Sequence, residues 1–232
     1  MRLECRNLNF SYPGSDQDIL KNMSFIMESS GFNCIFGPSG VGKTSFARLL
    51  VHPEQDVFSS IHLTDIHTIL YSYNLERLPG WASTGSHLDK ICPRGKEGIK
   101  QELIQVFQVE PILSARFSQL SMGQQNRMNL IRYLLQDFDL LILDESLANV
   151  DEKLRETIIL YIKERFADKM FLYISHNLME VAKYCKQILV LGQDATRRKN
   201  GCFMVQGRDL HRGDSLDKSA LDAIILEIMN AV

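Results

Sequence analysis

The 232-residue chain has the composition of an ordinary folded domain, with 45% apolar and 23% charged residues. A formal net charge of −2 argues against a nucleic-acid partner, which a strongly basic surface would favour. Its five cysteines are dispersed without a C-x-x-C pair, which argues against a disulfide framework and a zinc site. No apolar run is long enough to span a membrane, and the N-terminus lacks the pattern of a signal peptide, so we expect an intracellular protein.

The N-terminal part of the chain predicts strands that lead into a glycine-rich loop. The first two strands are separated by a turn cluster at 13–16 and are expected to pair with each other. In chain order, the elements predicted up to residue 109 are strands at 3–12, 19–27 and 32–36, a helix from residue 45, a strand at 68–73, a loop with a short helix at 77–94 and a helix at 98–109.

The C-terminal part of the chain alternates helices with short apolar strands. In chain order, the predicted elements are a helix at 121–136, a strand at 138–143, a helix at 151–166, a strand at 170–174, a helix at 177–185, a strand at 187–191, a solvated loop at 193–201, a strand at 202–205 and a helix at 219–229. The run at 138–143 is apolar apart from Asp139, which is typical of a parallel strand buried on both faces. Because strands alternate with helices, the sequence predicts an α/β fold around a parallel sheet.

The loop after the strand at 32–36 matches the phosphate-binding pattern G-x-x-x-x-G-K-[ST] in full. Glycines let backbone N–H groups curl around phosphate oxygens, and the following helix adds the positive end of its dipole. Lys43 is expected to meet the β- and γ-phosphates, and Thr44 to offer its hydroxyl to Mg²⁺. The predicted nucleotide-binding residues in this loop are Gly37, Pro38, Ser39, Gly40, Val41, Gly42, Lys43, Thr44 and Ser45.

A second candidate feature is the apolar strand that ends in Asp144 and Glu145. Ligands of a parallel sheet lie beyond the carboxyl ends of its strands, so Asp144 is expected to face the phosphate loop and hold Mg²⁺. Glu145 is then expected where an attacking water approaches the γ-phosphate, as general base. A strand that exits into a charged turn also explains these two acids, but the phosphate loop makes a metal–nucleotide site the better interpretation.

Ser121 and Gln124 fit a capping box at the start of the helix at 121–136. A capped helix N-terminus next to Gly123 is a surface that can bind phosphate. From the residues alone, a plain helix start is the simpler interpretation of this segment.

Residues 120–125 read L-S-M-G-Q-Q and resemble the L-S-G-G-Q signature of ABC ATPases, the nucleotide-binding subunits of ATP-binding-cassette transporters. The segment lies between the phosphate loop and the acidic strand, as it does in that family. The resemblance then extends over about 3–207 and implies further roles. Tyr12 would stack on adenine, residues 148–151 would form the D-loop, and His176 would contact the γ-phosphate.

The resemblance also implies the architecture. We expect a P-loop NTPase fold with a mainly parallel core sheet, an N-terminal antiparallel β subdomain and an inserted α-helical signature subdomain. Residues 1–232 would form a single ABC ATPase domain, with the helical subdomain at about 75–135 and a C-terminal helical tail at 208–232.

Several positions depart from the pattern of the family. Residues 73–81 are similar to the Q-loop of importer ATPases, but Asn74 stands in place of the glutamine that touches Mg²⁺ and the attacking water. Asn74 is therefore expected at the metal and in catalysis, with a reach shorter by roughly 1.5 Å. Met122 replaces a glycine, Ser146 replaces a proline, and the segment at 52–68 is shorter than usual.

The resemblance implies that two copies meet head to tail around two ATP molecules with C2 symmetry. Each ATP, with Mg²⁺, would lie between the phosphate loop of one copy and Ser121, Gly123 and Gln124 of the other. The expected partners are a second ATPase subunit, transmembrane permease subunits and a solute-binding protein, with no nucleic acid. The permease subunits would hold the chain on the inner, cytoplasmic face of the cell membrane.

The direction of transport and two alternative functions stay open. Residues 143–155 are similar to sugar and polyamine importer ATPases, and residues 77–81 to the nitrate, sulfonate and taurine group, so import is favoured. One alternative is a soluble ABC ATPase that acts on DNA or ribosomes, although the sequence shows no coiled-coil insert, zinc module or second cassette. The other is an ATP-dependent regulatory switch with low turnover, which Asn74 suggests.

Overall fold

The structure, a computed structural model, describes residues 1–15, 18–52, 55–74, 76–77, 82–192 and 202–232. The predicted loop at 193–201 and most of the importer-like stretch at 77–81 lie outside these residues. Within the described ranges, no helix combines the length and the apolar character that crossing a bilayer requires.

Strands and helices alternate between residues 140 and 191, as the sequence predicts. The strands are Arg2–Phe10 (β1), Leu20–Met27 (β2), Gly31–Phe36 (β3), Ile61–Thr64 (β4), Ile69–Tyr73 (β5), Leu140–Asp144 (β6), Met170–Ile174 (β7), Gln187–Leu191 (β8) and Cys202–Gln206 (β9). The α-helices are Lys43–Val51 (α1), Thr84–Ile91 (α2), Glu97–Val106 (α3), Met122–Leu134 (α4), Glu152–Arg165 (α5), Leu178–Tyr184 (α6) and Lys218–Ala231 (α7).

The larger sheet has the strand order β5-β6-β7-β3-β8-β9, and its neighbouring strands are parallel except for β8 and β9. The predicted mainly parallel core sheet is therefore confirmed. In the register of this sheet, Cys34 of β3 pairs with Tyr173 of β7 and Ile188 of β8. The carboxyl ends of β3, β6 and β7 consequently meet at one edge, where the phosphate loop, Asp144 and His176 follow.

A smaller antiparallel sheet has the order β2-β1-β4. The pairing of β1 with β2, in which Leu3 lies opposite Met27, confirms the predicted antiparallel pair. The sequence did not predict β4, whose residue Leu63 also lies opposite Leu3. This strand has four residues, three of them exposed, so it lacks the buried alternation that would identify it.

Both faces of the larger sheet are covered. Leu141 and Leu143 of β6 point into an apolar cluster that also contains residues of α2, α3, α4 and α5. Leu140 and Ile142 point to the opposite side, into a second cluster formed with α1 and the antiparallel sheet. Every residue of β6 and β7 is buried, which explains why these strands are apolar in the sequence except for Asp144 at the end of β6.

Candidate functional site

The phosphate loop joins the end of β3 to α1, and its glycines are required by the backbone. Gly42 precedes the first residue of α1 with φ of 100°, in the left-handed region that favours glycine. A Cβ atom on Gly37 would lie 2.3 Å from the carbonyl oxygen of Leu191, and one on Gly42 would lie 2.7 Å from the side chain of Leu20. The loop therefore has this shape only with glycine at both positions.

Lys43 is the first residue of α1 and is buried against the loop. Its ammonium group donates to the backbone oxygens of Gly37, at 2.8 Å, and Pro38, at 2.7 Å. Burial lowers the pKa of Lys43, while the nearby Asp144 and Glu145 act in the opposite direction. The charge is thus held inside the loop, where an incoming phosphate would meet it.

Asp144, the last residue of β6, accepts two hydroxyl groups on the same carboxylate oxygen. Thr44 donates to its Oδ2 atom at 2.8 Å and Tyr71 donates to it at 2.7 Å. Burial and the Asp144 carboxylate both raise the pKa of Tyr71, so this phenol stays protonated. The predicted pair of Thr44 and Asp144 is therefore brought together, and Tyr71 is an additional partner that the sequence did not predict.

Glu145 follows Asp144 and points toward His176. The Nε2 atom of His176 lies 2.6 Å from the Oε1 atom of Glu145, and both side chains are partly exposed. Glu145 has φ of 53°, a left-handed conformation that is uncommon for a residue other than glycine. Backbone strain of this kind is frequent at functional sites, because it aims a side chain that regular geometry would misplace.

A cavity of about 230 Å³ connects these groups. Its described lining residues are Ile19, Ser39, Gly40, Gly42, Lys43, Thr44, Ser45, Asp144, Glu145, Ile174 and His176. Hydroxyl and carboxylate oxygens of Thr44 and Asp144 are donors that Mg²⁺ prefers, and it often takes only one or two of them from the protein. The described residues contain no group of three His, Cys, Asp or Glu side chains that would hold a metal unaided. Phosphate and water oxygens would complete the coordination.

Tyr12 lies next to this cavity and faces a larger one. Its hydroxyl lies 3.0 Å from the Oγ atom of Ser45, and its ring packs edge-on against Phe10. The ring is 41% exposed and lines a neighbouring cavity of about 450 Å³, together with Tyr71 and Tyr73. An aromatic surface is therefore available beside the phosphate loop, as expected for a residue that stacks on a base.

The capping box at Ser121 is present. The Oγ atom of Ser121 accepts from the backbone N–H of Gln124 at 3.3 Å, and the Gln124 side chain accepts from the backbone N–H of Ser121 at 2.9 Å. Met122 is exposed. None of these three residues is among the described residues that line the phosphate cavity. The start of α4 is therefore not part of that cavity in a single copy of the chain.

Gly123 has a structural role that the sequence did not reveal. A Cβ atom at this position would lie 2.1 Å from the backbone oxygen of Asn149. The first turn of α4 therefore packs directly on the segment that follows Glu145, and only glycine permits this approach.

Asn74 does not contact Thr44 or Asp144 through its side chain. Its Oδ1 atom accepts from the side-chain amide of Asn126 at 3.0 Å and from that of Asn149 at 3.3 Å. Its backbone N–H donates to the backbone oxygen of Asp144 at 3.0 Å. The role of Asn74 at the metal stays a prediction, and its side-chain oxygen is bonded here to two asparagine amides.

Ser146 also forms contacts that were not predicted. It is buried, and its hydroxyl lies 2.9 Å from both the backbone oxygen and the hydroxyl of Ser72. The polar residues that the sequence failed to identify lie on β5, on α4 and after β6. They become recognisable only once the parallel pairing of β5 with β6 is known, because that pairing places Ser72 beside the loop that contains Ser146.

The profile of the ABC transporter family matches residues 20–148 of the chain. The phosphonates import ATP-binding protein PhnC of Treponema denticola is 31% identical over 221 residues, which cover 82% of this chain and 86% of that protein. The spermidine/putrescine import ATP-binding protein PotA of Haemophilus ducreyi is 26% identical, over 85% of this chain. The chain spans only 58% of the length of that PotA.

Solved structures show the same fold at low sequence identity. A bacterial Atm1-family ABC exporter with ATP bound superposes with a TM-score of 0.74 and 18% identity, over 99% of this chain and 41% of the exporter. A dimeric bacterial ABC transporter cassette superposes with a TM-score of 0.67 and 19% identity, over 82% of this chain and 94% of the cassette. The expected P-loop NTPase fold is confirmed by these neighbours.

Proposed function

This chain belongs to the ABC transporter family, and from that premise we propose that it binds and hydrolyses ATP in the cavity between its phosphate loop and Asp144. The observation that carries the proposal is the convergence of Lys43, Thr44, Asp144, Glu145 and His176 on one cavity. These residues come from three separate parts of the sequence. Their types match the needs of phosphoryl transfer, which are charge neutralisation and a positioned water.

The phosphate loop would bind the β- and γ-phosphates through its backbone N–H groups and Lys43. The ammonium group of Lys43 would leave the oxygens of Gly37 and Pro38, which now hold it beside the cavity. Thr44 and Asp144 would hold Mg²⁺, which neutralises the charge that develops between the two phosphates. Tyr71 would have to give up its hydrogen bond to Asp144, or share that oxygen with the metal.

Glu145 would take a proton from the attacking water as general base. The Nε2 atom of His176 lies within hydrogen-bond distance of this carboxylate, so it can orient Glu145 and would turn to donate to the γ-phosphate once ATP is bound. Tyr12 would stack on the adenine ring next to Ser45.

We propose further that two copies form a head-to-tail dimer. Ser121, Gly123 and Gln124 form a capped helix start that a single copy does not use in its own phosphate cavity. An isologous dimer would bring this start to the ATP of the partner. At the inner face of the membrane, the dimer would act on the transmembrane permease subunits of an importer, and a solute-binding protein would deliver the solute to these subunits. The import ATP-binding relatives PhnC and PotA support this direction.

Two substitutions test the proposed activity. Lys43→Ala should abolish ATP binding, measured with a fluorescent ATP analogue, because the loop loses its only side-chain cation for the phosphates.

Glu145→Gln should bind ATP normally but lower the rate of hydrolysis by at least about 100-fold, because it removes the general base. Glu152→Gln, an exposed residue near Glu145 in sequence, is the control and should hydrolyse ATP at the normal rate. Full activity of the Glu145→Gln protein would refute the role of Glu145.

A low-turnover switch is the second candidate, because Asn74 stands in place of the glutamine and its oxygen is bonded to Asn126 and Asn149. Steady-state ATP hydrolysis, measured with and without co-purified membrane proteins, separates the two functions. A transport subunit should be stimulated by its membrane partner, whereas a switch should keep the same low rate.

A further inference from the structure

Three asparagine side chains meet at a single oxygen atom. The Oδ1 atom of Asn74 accepts one hydrogen bond from Asn126 and a second from Asn149. An amide oxygen has two lone pairs, so both of its acceptor positions are occupied. Asn126 is buried, and the bond to it is therefore shielded from competing water.

The three asparagines belong to different parts of the site. Asn74 follows β5 and is joined to Asp144 by its backbone N–H. Asn126 lies on α4, just over one turn beyond the capped start at Ser121. Asn149 follows Glu145 in the segment that continues to α5. One amide oxygen thus connects the start of α4 with the segment behind the general base.

A second contact joins the same two segments. Gly123 packs so closely on Asn149 that even a Cβ atom would overlap its backbone oxygen. The start of α4 is consequently fixed to Asn149 on one side by backbone contact and on the other through Asn74.

We propose that Asn74 is a positioning residue that holds α4 and the Asn149 segment in one rigid unit, and that it is not a ligand of Mg²⁺. A ligand role would require its oxygen to give up both asparagine amides. The proposal deepens the proposed function and rests on it. In a head-to-tail dimer, the spacing that Asn74 maintains within one copy would set the spacing between the two ATP sites.

The first test needs no nucleotide and compares Asn74→Ala with Asn74→Asp. Asn74→Ala removes the shared acceptor, so the backbone amides of Gln124 and Gln125 should exchange hydrogen about tenfold faster, the scale of two neutral hydrogen bonds. Asn74→Asp keeps an oxygen that accepts both amides and should restore protection to within about twofold. Asn9→Ala, which removes an exposed amide bound to the backbone of Asn7, is the matched control and should leave exchange unchanged. Unchanged exchange in Asn74→Ala would overturn the proposal.

The second test measures association and the requirement for Mg²⁺. In the Glu145→Gln background, Asn74→Ala should weaken ATP-dependent dimerisation about tenfold, and adding Asn126→Ala should weaken it little more, because both changes break one unit. The Mg²⁺ concentration for half-maximal ATP binding should stay within about twofold in Asn74→Ala and in Asn74→Asp. A raised requirement in the first variant and a lowered one in the second would show a metal ligand instead. If the parent protein fails to bind ATP, the proposed function is wrong, while the exchange result still decides the role of Asn74.

Discussion

The carboxylate of Asp144 shares one oxygen between the hydroxyl groups of Thr44 and Tyr71. A metal ion that binds this oxygen competes with two donors, and only one of them belongs to the phosphate loop. Hydrogen bonds to a charged acceptor contribute more than neutral ones, so the Tyr71 hydroxyl would lower the affinity of Asp144 for the proposed Mg²⁺. Tyr71 would then adjust the affinity of a metal site without being a ligand of the metal.

We expect Tyr71→Phe to bind Mg²⁺ more tightly in the presence of ATP. Removal of the competing hydroxyl should lower the Mg²⁺ concentration for half-maximal ATP binding by about ten- to a hundredfold, the scale of one hydrogen bond to a charged acceptor. Titration of Mg²⁺ with a fluorescent ATP analogue measures the change. Tyr161→Phe removes a comparable hydroxyl from Glu102, away from the site, and should leave the titration unchanged. A raised Mg²⁺ requirement in Tyr71→Phe would mean that the hydroxyl supports the metal site.

Side chains within a complete motif were predictable, and side chains between motifs were not. Lys43, Thr44 and Asp144 lie together because the phosphate loop and the acidic strand are local patterns with fixed positions in a parallel sheet. Tyr71 and Asn126 carry no local signal. Their partners are at distant positions in the sequence, so their roles depend on strand order and on the orientation of α4.

At the scale of elements, the start of α4 combines one feature that the sequence predicts with one that it does not. The capping box was predictable, because Ser121 and Gln124 are separated by a spacing that satisfies the free N–H groups of a helix start. The close approach of Gly123 to Asn149 was not, because it depends on the path of a segment more than twenty residues later. Strand β4 was also not predicted, because a short exposed strand has no apolar pattern in its sequence.

We expect Gly123→Ala and Gly98→Ala to change stability in opposite directions. Gly123→Ala must move the first turn of α4 away from Asn149 and should cost about 1–3 kcal/mol. Gly98 lies in α3, where a Cβ atom meets no other atom within 4 Å, so Gly98→Ala should stabilise the helix by up to about 1 kcal/mol. Urea unfolding measures both changes. Equal stability of the two variants would contradict the packing of α4 on Asn149.

At the scale of the whole molecule, the burial of thiols and phenols makes the free energy of unfolding decrease as the pH rises into the alkaline range. Burial raises the pKa of the Cys202 thiol to about 11 and also raises the pKa of Cys34. The pKa values of the phenols of Tyr133 and Tyr173 are raised by burial and by neighbouring carboxylates. These groups release their protons at lower pH in the unfolded chain than in the folded one, so rising pH favours unfolding.

We therefore expect the urea midpoint of unfolding to fall from about pH 8.5 upward, where unfolded thiols begin to ionise, and to fall more steeply above about pH 10, where unfolded phenols follow. Unfolding curves at successive pH values measure this trend. Cys202→Ala removes one of the contributing groups and should give a shallower decline between these two pH values. A midpoint independent of pH across this range would show that the buried groups titrate normally.

The place of β3 in the larger sheet has a consequence for synthesis on the ribosome. This strand carries the phosphate loop, yet both of its neighbours, β7 and β8, come from the C-terminal third of the chain. More than half of the sequence must therefore be translated before β3 can pair. Until then, the backbone groups along both edges of this apolar strand have no pairing strand. The loop that defines the site is made early but acquires its supporting strands late. A nascent chain that stops before β7 should consequently be unable to hold a nucleotide and should depend on chaperones for solubility.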